Sequence, residues 1–437
     1  MSNPVARAGI FVNNLTRRGI STPVFNPKRS EIIIPDEKIQ RRIIEGLAFL
    51  ASTISFPIGY RFRHRWCPSA HNRTSASAAE SILNALTIMY FSPETALEII
   101  RNFFVNQSLE GCLPRYLSPM SSSPHPAVPL LLLPVLIHQN IEPDNEKLDE
   151  FYNRAIRFSD YLAVHRKRED GLFHPRAAAD LQTDFILIKP VHETENASPE
   201  KFTSVALNCL MAHQFRLLSK AARCLSYPRE ERKFEVRAKK LGSLIAERCW
   251  IETQKNFFDL IDGKHAAAPS PAAALTLTAE AASKEQAKTI AEQLKNNRQL
   301  LQPANHTDLL ALYLTLEGLV KYGLHAAAGD AALQCLKHIA VLPRTQENLL
   351  LAAASFPVLM EYIIGFHPFR DRCVISPHLP DEWKNQKIEV SNLAQRISLA
   401  VTLLEAGKVK CEVVRGERME AEINNFHFMN FIYQKNA

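Results

Sequence analysis

From residue 36 to about residue 365 the apolar side chains recur at spacings of three and four, the pattern of amphipathic helices. In "PDEKIQRRIIEGLAFLASTIS" the stripe is Ile39, Ile43, Ile44, Leu47 and Leu50. Helix starts are written in as well. "SPETALEIIRNFFVNQ" opens with Ser92 as N-cap and Pro93 at the first helical position, where a missing N–H costs nothing. "SPEKFTSVALNCLMAHQF" opens the same way at Ser198 and Pro199, and Ser283 with Gln286 has capping-box spacing. The pattern predicts about ten to twelve helices, joined by Pro-, Asn- and Asp-containing loops with no long linker. After "FHPFRDRCVISPHLPDEWKNQ" the period drops to two. Ile397, Leu399 and Val401, then Val409, Cys411 and Val413, alternate with polar or small residues around the turn signal "EAGK". The expected organisation is an N-terminal extension at 1–35, a helical domain at 36–384 and a small antiparallel β element at 385–437 packed on it. No fixed-period repeat runs through the helices, so they are expected to close into a toroid and not to stack as a solenoid.

Composition narrows the classes. With 437 residues and 46% apolar content the chain can bury a large core. Its 14 glycines form no phosphate-cradling run, which argues against a nucleotide-binding α/β fold, and neither cofactor nor metal is expected. The net charge of +7 comes from 52 basic and 45 acidic side chains that are largely intermixed, too diffuse for a nucleic-acid or membrane partner. Eight scattered cysteines with no CxxC pair read as reduced core thiols. No signal-peptide h-region precedes the first helix and no apolar run reaches spanning length, so a cytoplasmic protein is expected. The sequons at Asn14, Asn72, Asn106, Asn196 and Asn305 then read as chance occurrences. "HAAAPSPAAALTLTAEAA" predicts a helix with a flexible leader.

The order of short motifs says more than any one of them. "SPETALEIIRNFFVNQSLEGCLPRYL" is followed by "SSSPHPAVPLLLLPVLIHQN", "FYNRAIRFSDYLAVHRKREDGLFHP", "SVALNCLMAHQFRLLSKAA", "LEGLVKYGLHAAA" and "SFPVLMEYIIGFHPFRDRCVISPHLPDEW". This succession, over residues 70–430, resembles glycoside hydrolase family 63, including its mannosylglycerate-hydrolase-like and amylo-α-1,6-glucosidase-like members. The resemblance implies an all-α (α/α)6 toroid whose loops build a sugar pocket, with a terminal β segment closing the domain. It also implies inverting hydrolysis of a small α-linked gluco- or manno-configured sugar. That chemistry needs a protonated acid at the leaving oxygen and a carboxylate holding water on the opposite face, roughly 6.5–9.5 Å apart.

By resemblance the acid lies in "DGLFHPRAAADLQTDF", where Asp180 and Asp184 are equal candidates, and the base is Glu347 in "PRTQENLLLAAASFP". Glu361 and Glu317 are weaker alternatives, since both sit at interior helical positions. Departures are plain. Ala177, Ala178 and Ala179 stand where polar pocket residues are expected, Arg73, Thr74 and Ser75 replace a Trp-Asp-Ser run, and only three tryptophans remain for stacking. Two classes of answer therefore stay open: a glycosidase, or a non-catalytic relative that keeps the fold as a sugar-binding or protein-interaction scaffold.

Around this core the loop "YRFRHRWCPSAHNR" concentrates Arg63, Arg65 and Arg73, whose guanidinium forks suit the carboxylate or phosphate of an anionic sugar derivative. His174 beside the Asp loop and His125 in "SSSPHPAVP" are further substrate-binding candidates, and His192 flanks the same loop. The expected partner is a small carbohydrate or anionic sugar derivative; the oligomeric state is left open.

Overall fold

The computed structural model describes residues 31–189, 199–425 and 427–433. The helical part comprises α1 (Glu37–Thr53), α2 (Ala78–Met89), α3 (Pro93–Val105), α4 (Leu132–Ile141), α5 (Asn145–Arg166), the single turn α6 (Thr183–Ile186), α7 (Val205–Cys224), α8 (Pro228–Cys249), the short α9 (Leu275–Thr278), α10 (Lys284–Leu294), α11 (His306–Lys321), α12 (His325–Val341), α13 (Gln346–Ala354) and α14 (Phe356–Tyr362), with a further unlabelled turn at Arg298–Leu301 between α10 and α11. Their packing follows a cycle: α2 lies on α4, α4 on α7, α7 on α9, α9 on α11, α11 on α13, and α13 back on α2. Outside them α3 pairs with α2, α5 with α4, α8 with α7, and α12 with α11, while α1, the first helix of the chain, covers α13, one of the last.

The sequence sorts helices into these two sets. Every residue of α2 is buried, as expected of a helix apolar all round, whereas α8 buries only Phe234, Ala238, Leu241, Gly242, Ile245 and Cys249, one stripe at helical spacing. Where α1 crosses α13, Gly46 lets the backbones meet. A Cβ there would stand 2.6 Å from both Ala353 N and Leu349 O. Backbone atoms cannot step aside as a side chain can. Gly46→Ala is expected to cost about 1–3 kcal/mol in chemical denaturation despite alanine's better helix propensity.

The long helix in "SPEKFTSVALN" starts later than its Ser-Pro pair suggests. Pro199–Lys201 form a 3-10 turn, Phe202–Thr203 pair with Leu260–Ile261, and the cap is Ser204, whose hydroxyl accepts from Leu207 N at 3.2 Å. Ser198 lies outside the described residues, as do His192 and Asn196. The alanine-rich tract yields only the single turn α9, although all four of its residues are buried.

The β structure also reaches further than the alternation indicates. Strands β2 (Phe366–Pro368) and β3 (Arg372–Ile375) precede residue 385 and form a sheet with β8 (Met429–Ile432). The second sheet runs β1 (Ile32–Ile33), β4 (Lys387–Val390), β5 (Ser398–Leu403), β6 (Lys408–Arg415), β7 (Glu417–Asn424), all antiparallel. So Ile32–Ile33, expected in an extension, form an edge strand of the C-terminal sheet. In β5 and β6 the pairs Leu399–Val413 and Val401–Cys411 sit in register with all four side chains buried, which is why the alternation is legible there. All eight cysteines are free thiols, seven of them buried. Among the described residues no helix is long and apolar enough to cross a membrane.

Candidate active site

The loop ahead of α2 touches both the loop ahead of α4 and the start of α13, and the loop ahead of α4 touches the one ahead of α7. A short ladder starts the assembly: Ala76–Ser77 pair with Tyr116–Leu117, and Ala78 N donates to Arg115 O at 2.9 Å. Glu80 lies in the first turn of α2, where it accepts from Ser69 Oγ (2.9 Å) and Ala70 N (2.7 Å) and folds the arginine-rich loop back over the helix. Thr345 caps α13 by accepting from Asn348 N, which fixes Gln346 and Glu347 in that helix's first turn. The same loop reaches both residues: His71 Nδ1 is 3.1 Å from Glu347 Oε1, and Arg73 donates to Gln346 Oε1.

The two Asp candidates have different fates. Asp180 is fully buried and paired with Arg166 from the end of α5, Nε to Oδ2 at 2.9 Å, and it also accepts from Arg176 N at 2.7 Å. It closes a turn. Asp184, in α6, is only partly buried, and its carboxyl is pushed above the ordinary range by that burial and by Glu80, against the opposing pull of Arg115 and His71. Arg115 itself is buried, donates to Ala179 O at 2.9 Å, and leaves Nη2 without a partner. His306, at the start of α11, is the counterpart across the site. Burial holds its pKa below the ordinary value and its Nε2 is unpartnered, while Glu80, His71 and Glu347 lie within electrostatic reach. Asp184, Glu80, His71, His306, Arg115 and Glu347 therefore form one polar constellation, assembled from five separate stretches of chain.

Other candidates lie elsewhere or are engaged. His174 is buried, with Nδ1 3.2 Å from Phe202 O and Nε2 3.1 Å from Asp170 Oδ2, so it pins the loop onto β structure. Arg65 is held by Thr95 Oγ1 (3.1 Å) and by Glu98 (3.7 Å) on α3. Arg63 and His125 are exposed. Trp66 stacks on Phe62 inside the loop, ring centroids 4.0 Å apart, and Phe173 is equally buried, so none of these rings presents a face to a sugar. Glu317 faces the other end of α11. Burial would raise its pKa, but Lys321 at 3.0 Å, with Lys220 nearby, holds it ionised.

Glu361 accepts from Tyr313 OH (2.7 Å) and Tyr90 OH (3.0 Å), and burial pushes it up to about 7 against these two hydrogen bonds. A carboxyl whose pKa is higher folded than unfolded contributes stability fully below its unfolded value of 4.5 and loses it as pH climbs through about 7. Urea midpoints measured from pH 4.5 to 8 should fall across this window, and less so in Glu361→Gln.

Among the described residues one group, Glu94, His138 and Glu142, brings three possible metal-ligand atoms within 4.8 Å of one another. Lys147 Nζ lies 3.2 Å from Glu94 Oε2 and 3.5 Å from Asp144 Oδ2, so a cationic side chain already pairs with one carboxylate of the cluster.

A family model described as the mannosylglycerate hydrolase MGH1-like glycoside hydrolase domain matches residues 75–308, more than half of the chain. The chain belongs to this family. The matched span holds Glu80, Arg115, Asp180, Asp184 and His306, and leaves Glu347 outside it. Among solved structures, the chain is similar to an uncharacterized conserved protein from Thermus thermophilus, at 17% identity over 72% of this chain and 99% of that one, with a TM-score of 0.55. It is similar also to the GH63 mannosylglycerate hydrolase of the same organism in complex with glucose, at 16% identity, the same coverage and a TM-score of 0.54. A sialidase structure covers 99% of this chain with 45% of its own length, at 11% identity and a TM-score of 0.66. At such identities the likeness is one of fold. No curated protein matches the chain.

Glu80, His71, His306 and Arg115 escape the sequence reading. His71 and Glu80 lie within a stretch whose arginines draw the attention, and His306 sits in "PANHTDLL", which shows only missing aromatics. An N-cap followed by a polar first turn at the start of each fully apolar helix is the signal that finds Glu80, His306 and Glu347 together.

Proposed function

We propose that the chain is an inverting glycosidase acting on a small α-linked gluco- or manno-configured sugar, with Asp184 as acid and Glu347 as base. The supporting architecture reads as an (α/α)6 toroid: six inner helices in a contact cycle, five of them backed by an outer one, with the site at the mouth by the inner helices' N-termini. The observation that carries the reading is the shared neighbourhood of His71. It touches Glu347 at 3.1 Å and interacts electrostatically with Asp184, which supports a site shared by the two carboxyls. Burial and Glu80 favour the protonated form of Asp184, as an acid that delivers its proton to a leaving oxygen requires. The greater exposure of Glu347 supports its reading as the base that takes a proton from an attacking water.

The solved mannosylglycerate hydrolase has also been seen with Tris and D-glycerate. A carboxylate-bearing aglycone of that kind suits Arg73, which sits beside the base through Gln346. Mannosylglycerate is therefore the first substrate to try. Arg73→Ala is expected to raise its KM about tenfold or more with a smaller change in kcat, as lost charged hydrogen bonds would.

A second reading has its own observation. Ala177–Ala179 put no polar side chain toward a substrate and Asp180 is consumed by Arg166, as in a site whose chemistry has lapsed. A panel of α-glucosides, α-mannosides, mannosylglycerate and glucosylglycerate separates the two. Turnover by the wild type supports the enzyme; binding without turnover of any of them supports the scaffold.

A further inference from the structure

A cavity of about 1020 Å³ opens at the other end of the helical layer, between the C-terminal end of α4 and the two β sheets. It shares no residue with the candidate active site. Four arginines line it, Arg370, Arg372, Arg396 and Arg415, against a single carboxylate, Asp371. They come from three segments: the β2–β3 turn, the loop before β5 and the end of β6. The fold fixes two of these side chains by ring contacts and holds the backbone of the other two.

Arg415 lies over the Tyr433 ring, 4.2 Å from its centroid, and donates from Nη1 to Arg370 O at 2.8 Å. Arg372 lies over Phe369 at 4.8 Å, with only a loose 3.6 Å contact to Asp371. The backbone of Arg370 is tied to α4 by its N–H donating to Asn140 O at 2.9 Å. Gln395 and Arg396 are consecutive non-glycine residues with φ of 60° and 59°, a sparsely populated conformation, and Gln395 Nε2 fastens that turn to Ile141 O at 2.9 Å. Backbone held in this way tends to gather where a ligand is clamped. The guanidinium groups of Arg370 and Arg396 make no ion pair or side-chain hydrogen bond with a described residue. Two exposed forks without partners and two more held over rings face one carboxylate in the lining, with Glu142 and Asp144 in the adjoining hollow that Arg370 and Arg415 also line.

We propose that this cleft binds a small organic or inorganic anion carrying two or more clustered oxyanion groups, phosphate or carboxylate. Guanidinium forks pair with either in bidentate fashion, and the cavity is large for a single ion. The site is separate from the sugar chemistry and does not depend on that reading.

The test is calorimetric titration of the full chain at physiological salt with pyrophosphate, citrate and glucose 1-phosphate as probes. One-to-one binding of at least one probe is expected, and which of them binds tightest assigns the oxyanion. The double variant Arg370→Ala/Arg396→Ala should weaken that binding at least tenfold, and Arg396→Lys should weaken it less, keeping the charge while losing the fork. Arg232→Ala, on the exposed face of α8, serves as the control and should leave it unchanged. Both cleft arginines are exposed, so melting temperatures close to wild type are expected and would show the variants folded. No binding of any probe overturns the proposal, as does binding that survives the double variant or falls equally in the control.

Discussion

Asp184→Asn should lower turnover of the best substrate by two to four orders of magnitude, about the contribution of a general acid in the transition state, with little change in KM. Asparagine keeps the shape and a hydrogen bond but has no proton to give. The loss should shrink for a glycosyl fluoride, whose leaving group departs without protonation. The pH dependence has a definite sign. As the proposed acid, Asp184 would work protonated, and its pKa is raised by burial and Glu80, so kcat/KM should fall as pH rises through that raised value. Glu347→Gln should cost a similar factor.

Asp180→Ala should be a stability variant, and a severe one. The carboxylate is buried against the equally buried Arg166, and removing one partner leaves an uncompensated guanidinium, at a cost of about 3–5 kcal/mol. Two backbone N–H groups, of Arg176 and Ala177, lose their acceptor as well. Replacing both partners with apolar side chains, Arg166→Met with Asp180→Leu, should recover much of that loss, because the desolvation of two charges goes with them. A double-mutant cycle in urea measures the coupling. If Asp180→Ala unfolds at the wild-type midpoint, the buried pair is not what closes this loop.

The fold is the more legible layer, for physical reasons that can be named. Helix caps at Ser92 and Ser283 and the strand register of Leu399 with Val413 are local or period-two features, and burial on one face enforces them. The early strand at Ile32–Ile33 is not legible, since two residues carry no period and their partner lies more than 350 positions away. The same limit governs the site. The sequence offers Asp180 and Asp184 as equals, four residues apart, and what distinguishes them is the pairing of Asp180 with Arg166 and the burial of Asp184 beside Arg115 and Glu80. Glu347 is visible through the family pattern, whereas His71, His306 and Arg115 join it through loops brought together by the helical cycle.

The most direct test of Asp184 and Glu347 as an inverting pair is to follow mannosylglycerate by NMR in the presence of the wild type, Asp184→Asn and Glu347→Gln, reading the anomeric proton of the first sugar released. Hydrolysis by the wild type is expected, with the β anomer appearing first from the α-linked substrate and near-complete loss in both variants. Release of the α anomer first, or an Asp184→Asn protein as active as wild type, would contradict that assignment.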